Sequence, residues 1–189
     1  MVAVQVGILA LQGCVTPHVT HFSKLGCDTL PVRSSELLWQ CDALVLPGGE
    51  SSTMLHLLKR ANLFSEVIKF CSSRPVWGIC AGSILLAKEV SHPEQESFGI
   101  MDIHAERNAY GSQLDSFKAE ISVNLFDSPL LADFIRAPRL CALSDTVECL
   151  AEYHGDGVLF RQGHLLASSF HTELTEDSRL HQCFLEFVH

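Results

Sequence analysis

Positive charge is scarce in this chain. Thirteen Lys and Arg stand against 22 Asp and Glu, a formal net charge of −9. The basic residues are scattered and form no stripe to offset phosphate repulsion, which argues against a nucleic-acid partner. No apolar run is long enough to span a bilayer, so no membrane segment is expected. Met1 to Leu11 is apolar but lacks a basic lead-in and a small-residue cleavage site, so it reads as a first strand and not a secretion signal. A cytoplasmic location is the expectation. The eight cysteines, at 14, 27, 41, 71, 80, 141, 149 and 183, include no Cys-x-x-Cys pair. That argues against a zinc ribbon or a thioredoxin-like motif. A chain of 189 residues builds a full core without disulfides. Most of the cysteines are therefore expected to be small buried hydrophobes. Repeats, linkers and low-complexity stretches are missing as well, so residues 1–189 are read as one domain.

What the chain does have is a regular alternation of short apolar runs and helical stretches. Val2 to Leu11 suits a strand buried on both faces. Pro17 to Leu25 reads as a helix closed by Gly26. Thr29 to Val32 and Ala43 to Leu46 are further strands, and Ser34 or Ser35 caps a short helix between them. Ser51 or Ser52 is expected to cap a helix through Leu58. Phe64 to Cys71 is helical, Val76 to Ile79 a fourth strand, and Ala81 to Lys88 a helix. This order predicts βαβ units and a parallel sheet covered on both faces. After Ser91 the texture changes to short alternating segments at Met101–Ala105, Phe117–Val123, Val147–Tyr153, Val158–Gln162 and His164–Ser169. These read as antiparallel, joined by turns such as His154-Gly155-Asp156-Gly157. Ser178 to Val188 closes the chain as a helix with Leu180, Phe184 and Phe187 on one face.

One cysteine has a distinctive setting. Gly78-Ile79-Cys80-Ala81-Gly82 joins a strand to a helix in the form G-x-C-x-G, the cysteine counterpart of the nucleophile elbow. Side chains at either glycine would crowd so sharp a turn. The helix that follows directs its positive end at the sulfur and favours thiolate. Its free N–H groups, led by Ala81, can hold an oxyanion. A cysteine nucleophile needs a histidine. Among ten histidines, His171 follows an apolar strand and precedes Glu173 by two places, so both side chains share one face of an extended segment. Glu173 can then orient His171 toward Cys80. Pro47-Gly48-Gly49-Glu50 also follows a strand, where open α/β sheets bind ligands. Its glycines let the Gly49 N–H approach a reacting carbonyl as a second oxyanion donor. A phosphate loop competes for this segment, but its Gly-Lys-Ser/Thr ending is missing. His18 and His21 stand one helical turn apart and can share a metal only with a third ligand that the sequence does not supply. They read as surface residues, and no metal or other cofactor is expected.

Taken together, these motifs resemble the class I glutamine amidotransferases. More narrowly they resemble the PdxT (SNO) family of glutaminase subunits of pyridoxal 5′-phosphate synthase. The narrower likeness rests on Leu11-Gln12-Gly13, Pro47 to Met54, Trp77 to Gly82, Arg107 to Gln113, Asp115-Ser116-Phe117, Ile135-Arg136-Ala137-Pro138 and Phe170 to Leu174, which run in order along the whole chain. The resemblance implies an α/β fold of three layers. A mostly parallel, flavodoxin-like sheet is flanked by helices, with added antiparallel strands in the second half. It implies that Cys80 attacks the side-chain amide of L-glutamine and forms a thioester, with His171 and Glu173 as base and orienter and Gly49 and Ala81 as oxyanion hole. It places Gly49, Glu50, Ser51, Arg107, Ile135 and Arg136 around the glutamine. An arginine suits the amino-acid carboxylate, and the sequence leaves open which one does so. Gln12 is implied at the contact with a (β/α)8-barrel synthase subunit, which takes up the ammonia within a large hetero-oligomer and completes the oxyanion hole on docking.

One departure is visible. The family's usual His-Pro-Glu is His171-Thr172-Glu173 here. Thr is β-branched and tolerates extended backbone, so the triad is expected to survive. Three other readings stay open at this stage. They are a glutaminase of another pathway, such as the imidazole glycerol phosphate synthase type, a hydrolase of γ-glutamyl compounds needing no partner, and a non-catalytic module of the same fold.

Overall fold

A computed structural model describes residues 4–109 and 116–188. The start of the first expected strand, and the Tyr110 to Asp115 part of the family motifs, lie outside the described residues. The first half builds one sheet. Strand β1 (Gln5–Leu9) pairs in parallel with β2 (Asp28–Val32) and with β3 (Ala43–Leu46). β3 pairs in parallel with β4 (Val76–Ile79). Helices α1 (Val15–Lys24), α2 (Ser35–Leu38), α3 (Ser51–Arg60), α4 (Phe64–Cys71) and α5 (Ala81–Leu86) connect and cover the strands. β3 and β4 are buried along their full length, as strands covered on both faces must be. β2 contains Pro31, which donates no ladder hydrogen bond, and β2 lies at the sheet edge, where proline is tolerated.

The chain then leaves this sheet. β5 (Ala87–Ser91), β6 (Met101–Glu106) and β9 (Arg139–Ala142) form a three-stranded sheet, and β7 (Phe117–Ile121) and β8 (Leu130–Phe134) form a two-stranded one. β10 (Glu148–Tyr153), β11 (Asp156–Gln162) and β12 (Leu165–Ser168) return to extend the main sheet, whose seven strands run β10-β11-β12-β4-β3-β1-β2. His154 and Gly155 both have positive φ, the signature of the tight two-residue hairpin turn between β10 and β11. Helix α6 (Arg179–Glu186) closes the fold and buries Leu180 and Phe184.

Four expectations need correction. The helix after β4 ends at Leu86 and not Lys88, because residues from Ala87 onward gain pairing partners on β6. β6 and β12 are not purely antiparallel, since each has one parallel neighbour, β5 and β4 respectively. β8 and β9 carried no clear alternation and were not anticipated. Helix α3 is capped by Glu50, not by Ser51 or Ser52: its carboxylate accepts from Ser52 N at 3.2 Å and Thr53 N at 2.6 Å.

Candidate active site

The carboxyl ends of β1, β3, β4 and β12 converge on one edge of the sheet, and every triad and loop motif read from the sequence follows one of these strands. Cys80 sits at the turn from β4 into α5 with φ 49° and ψ −99°, a strained conformation for any residue with a Cβ. Its flanking glycines are needed for space. A Cβ on Gly78 would lie 2.7 Å from the Gly82 backbone, and one on Gly82 would lie 2.1 Å from the Leu46 carbonyl oxygen. The glycines thus let α5 press onto β3 and β4, while Cys80 itself carries the positive φ. The turn is tied down from the side: Cys80 N–H donates to Ser168 O at 2.8 Å, and Ser83 Oγ donates to Gly78 O and Ser168 O.

Beyond β12 the chain bends at Ser169 and Phe170, and it turns at Thr172 and Glu173 instead of running on as the expected extended segment; between them the N–H and C=O of His171 exchange hydrogen bonds with Asp133 at 2.8 and 2.9 Å. This two-bond bridge fixes the backbone from which the imidazole projects. His171 Nδ1–H donates to Glu173 Oε1 at 2.6 Å, and both side chains are buried. Cys80 is the ring's other close partner, and its Sγ lies 3.9 Å from Ile135 O. Burial pushes the His171 pKa down, but its hydrogen bonds with Cys80 and Glu173 prevail and hold it well above the ordinary histidine value. Burial pushes Glu173 up, and the bond from His171 outweighs that, leaving its carboxyl below the ordinary glutamate value. A thiol, an imidazole and a carboxylate are thus joined in one buried line, the arrangement that moves a proton off sulfur and back onto a leaving group.

The Gly48–Gly49 loop closes over this line. A Cβ on Gly48 would lie 2.1 Å from His171 Cε1, so the loop backbone passes directly against the ring. A Cβ on Gly49 would lie 2.5 Å from Gln12 Oε1. Gln12 Oε1 accepts from Glu50 N–H at 3.1 Å, and Gly48 O accepts from Cys14 N–H at 3.0 Å. The segment after β1 therefore clamps the glycine loop after β3.

A cleft of about 370 Å³ opens beside Cys80. Gln12, Gly49, Glu50, Ser51, Ala81, Arg107, Ile135, Arg136 and His171 all line it. Glu173 stands behind His171, away from the cleft. Glu50 is shared between capping α3 and an ion pair with Arg107 Nη2 at 3.2 Å. Although burial pushes its carboxyl up, the bonds from Ser52 and Thr53 bring it down to about 2. Ser51 is buried and donates to Gln95 Oε1 at 2.9 Å. Ile135 and Arg136 are exposed at the rim, and Arg136 has a positive φ of 45°. The sequence reading missed Cys14, Ile84, Asn108 and Leu174 in the lining, and Gln95 behind Ser51. Asn108 and Leu174 fall inside segments that carry the family likeness and Cys14 adjoins Gln12-Gly13, but their side chains bring no reactive pattern of their own, and Ile84 and Gln95 had no signal at all. His18 and His21 are corrected from surface to interior: both are buried, and they face Glu173, Ser178 and His181 instead of solvent. Among the described residues no three His, Cys, Asp or Glu side chains gather as a metal site, and no helix is long and apolar enough to cross a membrane.

Comparison with known proteins agrees with this geometry. The model of the SNO glutamine amidotransferase family matches residues 8–189. A relative from Thermotoga neapolitana, named pyridoxal 5′-phosphate synthase subunit PdxT, is 46% identical over 186 residues, spanning 97% of this chain and 99% of the relative. A relative of the same name from Haemophilus ducreyi is 46% identical over 175 residues, spanning 93% and 92%. A crystal structure of a glutamine amidotransferase superposes with TM-score 0.90 at 44% identity, covering 97% of this chain and 98% of that one. The PurLQS structure from Thermotoga maritima, at 14% identity and TM-score 0.75, shares the fold. The mostly parallel sheet with its elbow cysteine, and similarity along nearly the full length, together make this chain a member of the SNO glutamine amidotransferase family.

Proposed function

We propose that this chain, acting as one domain, is a glutaminase that releases ammonia from L-glutamine for a pyridoxal 5′-phosphate synthase, with Cys80, His171 and Glu173 as its triad. The observation that carries the reading is the buried line from Cys80 through His171 to Glu173, opening on a cleft of amino-acid size. The Cys80 thiolate attacks the carboxamide carbon and a C–S bond forms. The carbonyl oxygen takes the negative charge against the N–H groups of Gly49 and Ala81. Collapse breaks the C–N bond while His171 gives its proton to the departing ammonia. In the second half His171 takes a proton from water, the hydroxide attacks the thioester, and the C–S bond breaks to free glutamate. Glu173 keeps the imidazole aligned throughout. Glu50, Ser51, Arg107, Ile135 and Arg136 hold the glutamine; Arg107, already paired with Glu50, leaves Arg136 the freer cation for the substrate carboxylate.

The names of the relatives support a synthase subunit as partner. Gln12, wedged against Gly49, lies where a docking (β/α)8-barrel subunit in a hetero-oligomer would adjust the oxyanion loop and receive the ammonia. The reading needs no cofactor and places the reaction in the cytoplasm. Glutamate release from L-glutamine, with and without the synthase subunit, tests it in wild type and Cys80→Ala. Release that rises with the partner and vanishes in the variant is the expected result. Full activity without the partner would favour a stand-alone hydrolase, and no activity in the folded complex would sink the glutaminase reading.

A further inference from the structure

Behind Glu173, on the side away from the cleft, lies a buried cluster of three histidines that the triad chemistry does not use. His18 and His21 come from consecutive turns of α1, and His181 from α6. His18 Nδ1 is 3.0 Å from His181 Nε2, and His18 Nε2 is 3.8 Å from Glu173 Oε1. His21 stacks on His181 with ring centroids 4.3 Å apart. Its Nε2–H faces the carbonyl oxygens of Glu173 and Thr175, and its Nδ1 accepts from Ser178 Oγ. Trp77 packs edge-on against both His18 and His181. Among the described residues, the buried side-chain polar atoms without a hydrogen-bond partner are His18 Nε2, Thr172 Oγ1, Glu173 Oε2 and His181 Nδ1. All four belong to this cluster or to the segment it packs against. Polar atoms are seldom buried unpaired, and their concentration behind a reactive carboxylate calls for a role.

The protonation states follow from the contacts. Burial, with Glu173 opposing it, pushes His18 down to about 4, and burial followed by His18 and His21 pushes His181 down to about 2. Both rings are therefore neutral near neutral pH, and each carries one N–H. If His18 carried its proton on Nδ1, a bare lone pair on Nε2 would face the Glu173 carboxylate. If it carries the proton on Nε2, an N–H dipole points at the anion, and Nδ1 accepts from His181 Nε2–H. The second arrangement is favoured: it aims the His18 Nε2–H at the carboxylate, and on His181 it leaves bare an acceptor, Nδ1, and no N–H.

We propose, resting on the glutaminase reading above, that His18 is a positioning residue of the reaction, its Nε2–H holding the Glu173 carboxylate on His171 while His181 fixes the tautomer of His18. The 3.8 Å separation is longer than a hydrogen bond, so the role requires it to shorten in the substrate complex, as bonds to catalytic groups often do. His18 touches neither the cleft nor Cys80 and acts through Glu173. The ionisable groups around it are Glu173 and His171 after β12, His181 on α6 and His21 on its own helix. Cys14, at the start of the same helix, is influenced by Glu173, His171 and Cys80, and among the cluster's histidines Glu176 and Asp177 are influenced only by His21.

Two readouts test this with His18→Leu, which removes the donor, and His18→Gln, which retains one. The first is the pH dependence of iodoacetamide alkylation at Cys80, followed by peptide mass spectrometry on the free protein. It requires neither glutamine nor a partner, so it stands even if the functional reading fails. A less firmly held Glu173 supports the imidazolium less well, so the profile of His18→Leu is expected to move to higher pH and that of His18→Gln to stay near wild type. The second is steady-state glutaminase activity in the synthase complex. There kcat of His18→Leu is expected to fall roughly tenfold with KM unchanged, and His18→Gln to recover most of it. Should the leucine variant not fold, His18→Asn, polar but too short to reach Glu173, takes its place. An unchanged alkylation profile and kcat in a folded donor-less variant overturns the proposal. So does a loss in both variants that merely tracks lowered thermal stability, which would make His18 a core-filling residue only.

Discussion

Gly48 lies so close to His171 that a single added carbon would reach 2.1 Å from ring atom Cε1. The backbone of the glycine loop is thus one wall of the slot that holds the imidazole, against the ring edge at Cε1 and beside the nitrogen that donates to Glu173. Gly48→Ala is expected to push His171 off its line to Cys80. A displacement of about 1 Å at a reacting group costs on the order of a hundredfold in rate. Glutaminase assays of a folded Gly48→Ala protein check this, and activity within twofold of wild type would show that the ring has room the structure does not provide.

The strained backbone at Cys80 gives a second prediction. Its φ of 49° and ψ of −99° suit glycine alone. Such a residue costs about 1–3 kcal/mol, partly offset in a glycine variant by roughly 0.5–1 kcal/mol of extra chain entropy. Cys80→Gly and Cys80→Ala should both be inactive, yet the glycine variant should melt at the higher temperature. Paired denaturation curves decide the matter; equal stability would mean that the turn relaxes when the sulfur is removed.

The His171–Glu173 pair predicts how stability depends on pH. Glu173 is held below the ordinary glutamate value of 4.5, so its contribution is present above 4.5 and fades as pH falls through its lowered folded value. His171 is held well above the ordinary 6.5, so its contribution is complete below 6.5 and fades as pH rises through its raised folded value. The two windows overlap between 4.5 and 6.5. Thermal melts of wild type and Glu173→Gln across pH should differ most in that interval and converge toward both ends. A difference that keeps growing on the acid side would contradict this assignment of charges.

Thr172 stands between His171 and Glu173, where the resemblance leads one to expect proline. It is buried, and its hydroxyl finds no partner. Thr172→Pro removes that hydroxyl and narrows the unfolded ensemble, effects worth together about 1–2 kcal/mol. The variant should melt a few degrees higher with glutaminase activity retained. Calorimetry alongside the activity assay tests both halves, and a lowered melting temperature would mean that the loop backbone here differs from the one a proline requires.

Much of this site was legible because its signals are local. The Gly78-Ile79-Cys80-Ala81-Gly82 turn, the His171–Glu173 spacing and the paired glycines after β3 each express a constraint that a few consecutive residues impose on themselves. The apolar runs of β1, β3 and β4 announced a buried parallel sheet for the same reason. Where pairing is distant the signal thinned: β8 and β9 owe their form to β7 and β6, and α5 stops at Leu86 because β6 offers Ala87 and its successors a ladder. The family resemblance made Glu50 a candidate substrate contact, but its capping of α3 depends on where that helix begins.

The amino-acid sequence by itself singled out Cys80, His171 and Glu173 as the candidate triad, the loop glycines and the layered α/β class, since each follows from periodicity or from chemistry confined to one short segment. Only the tertiary structure decided that Gly48 walls in His171, that Gln12 covers Gly49, and that His18, His21 and His181 lie together behind Glu173. Those are contacts between segments as much as 163 residues apart. No local pattern encodes them, because they arise when the strand ends are brought to one edge of the sheet and helices α1 and α6 pack beneath it.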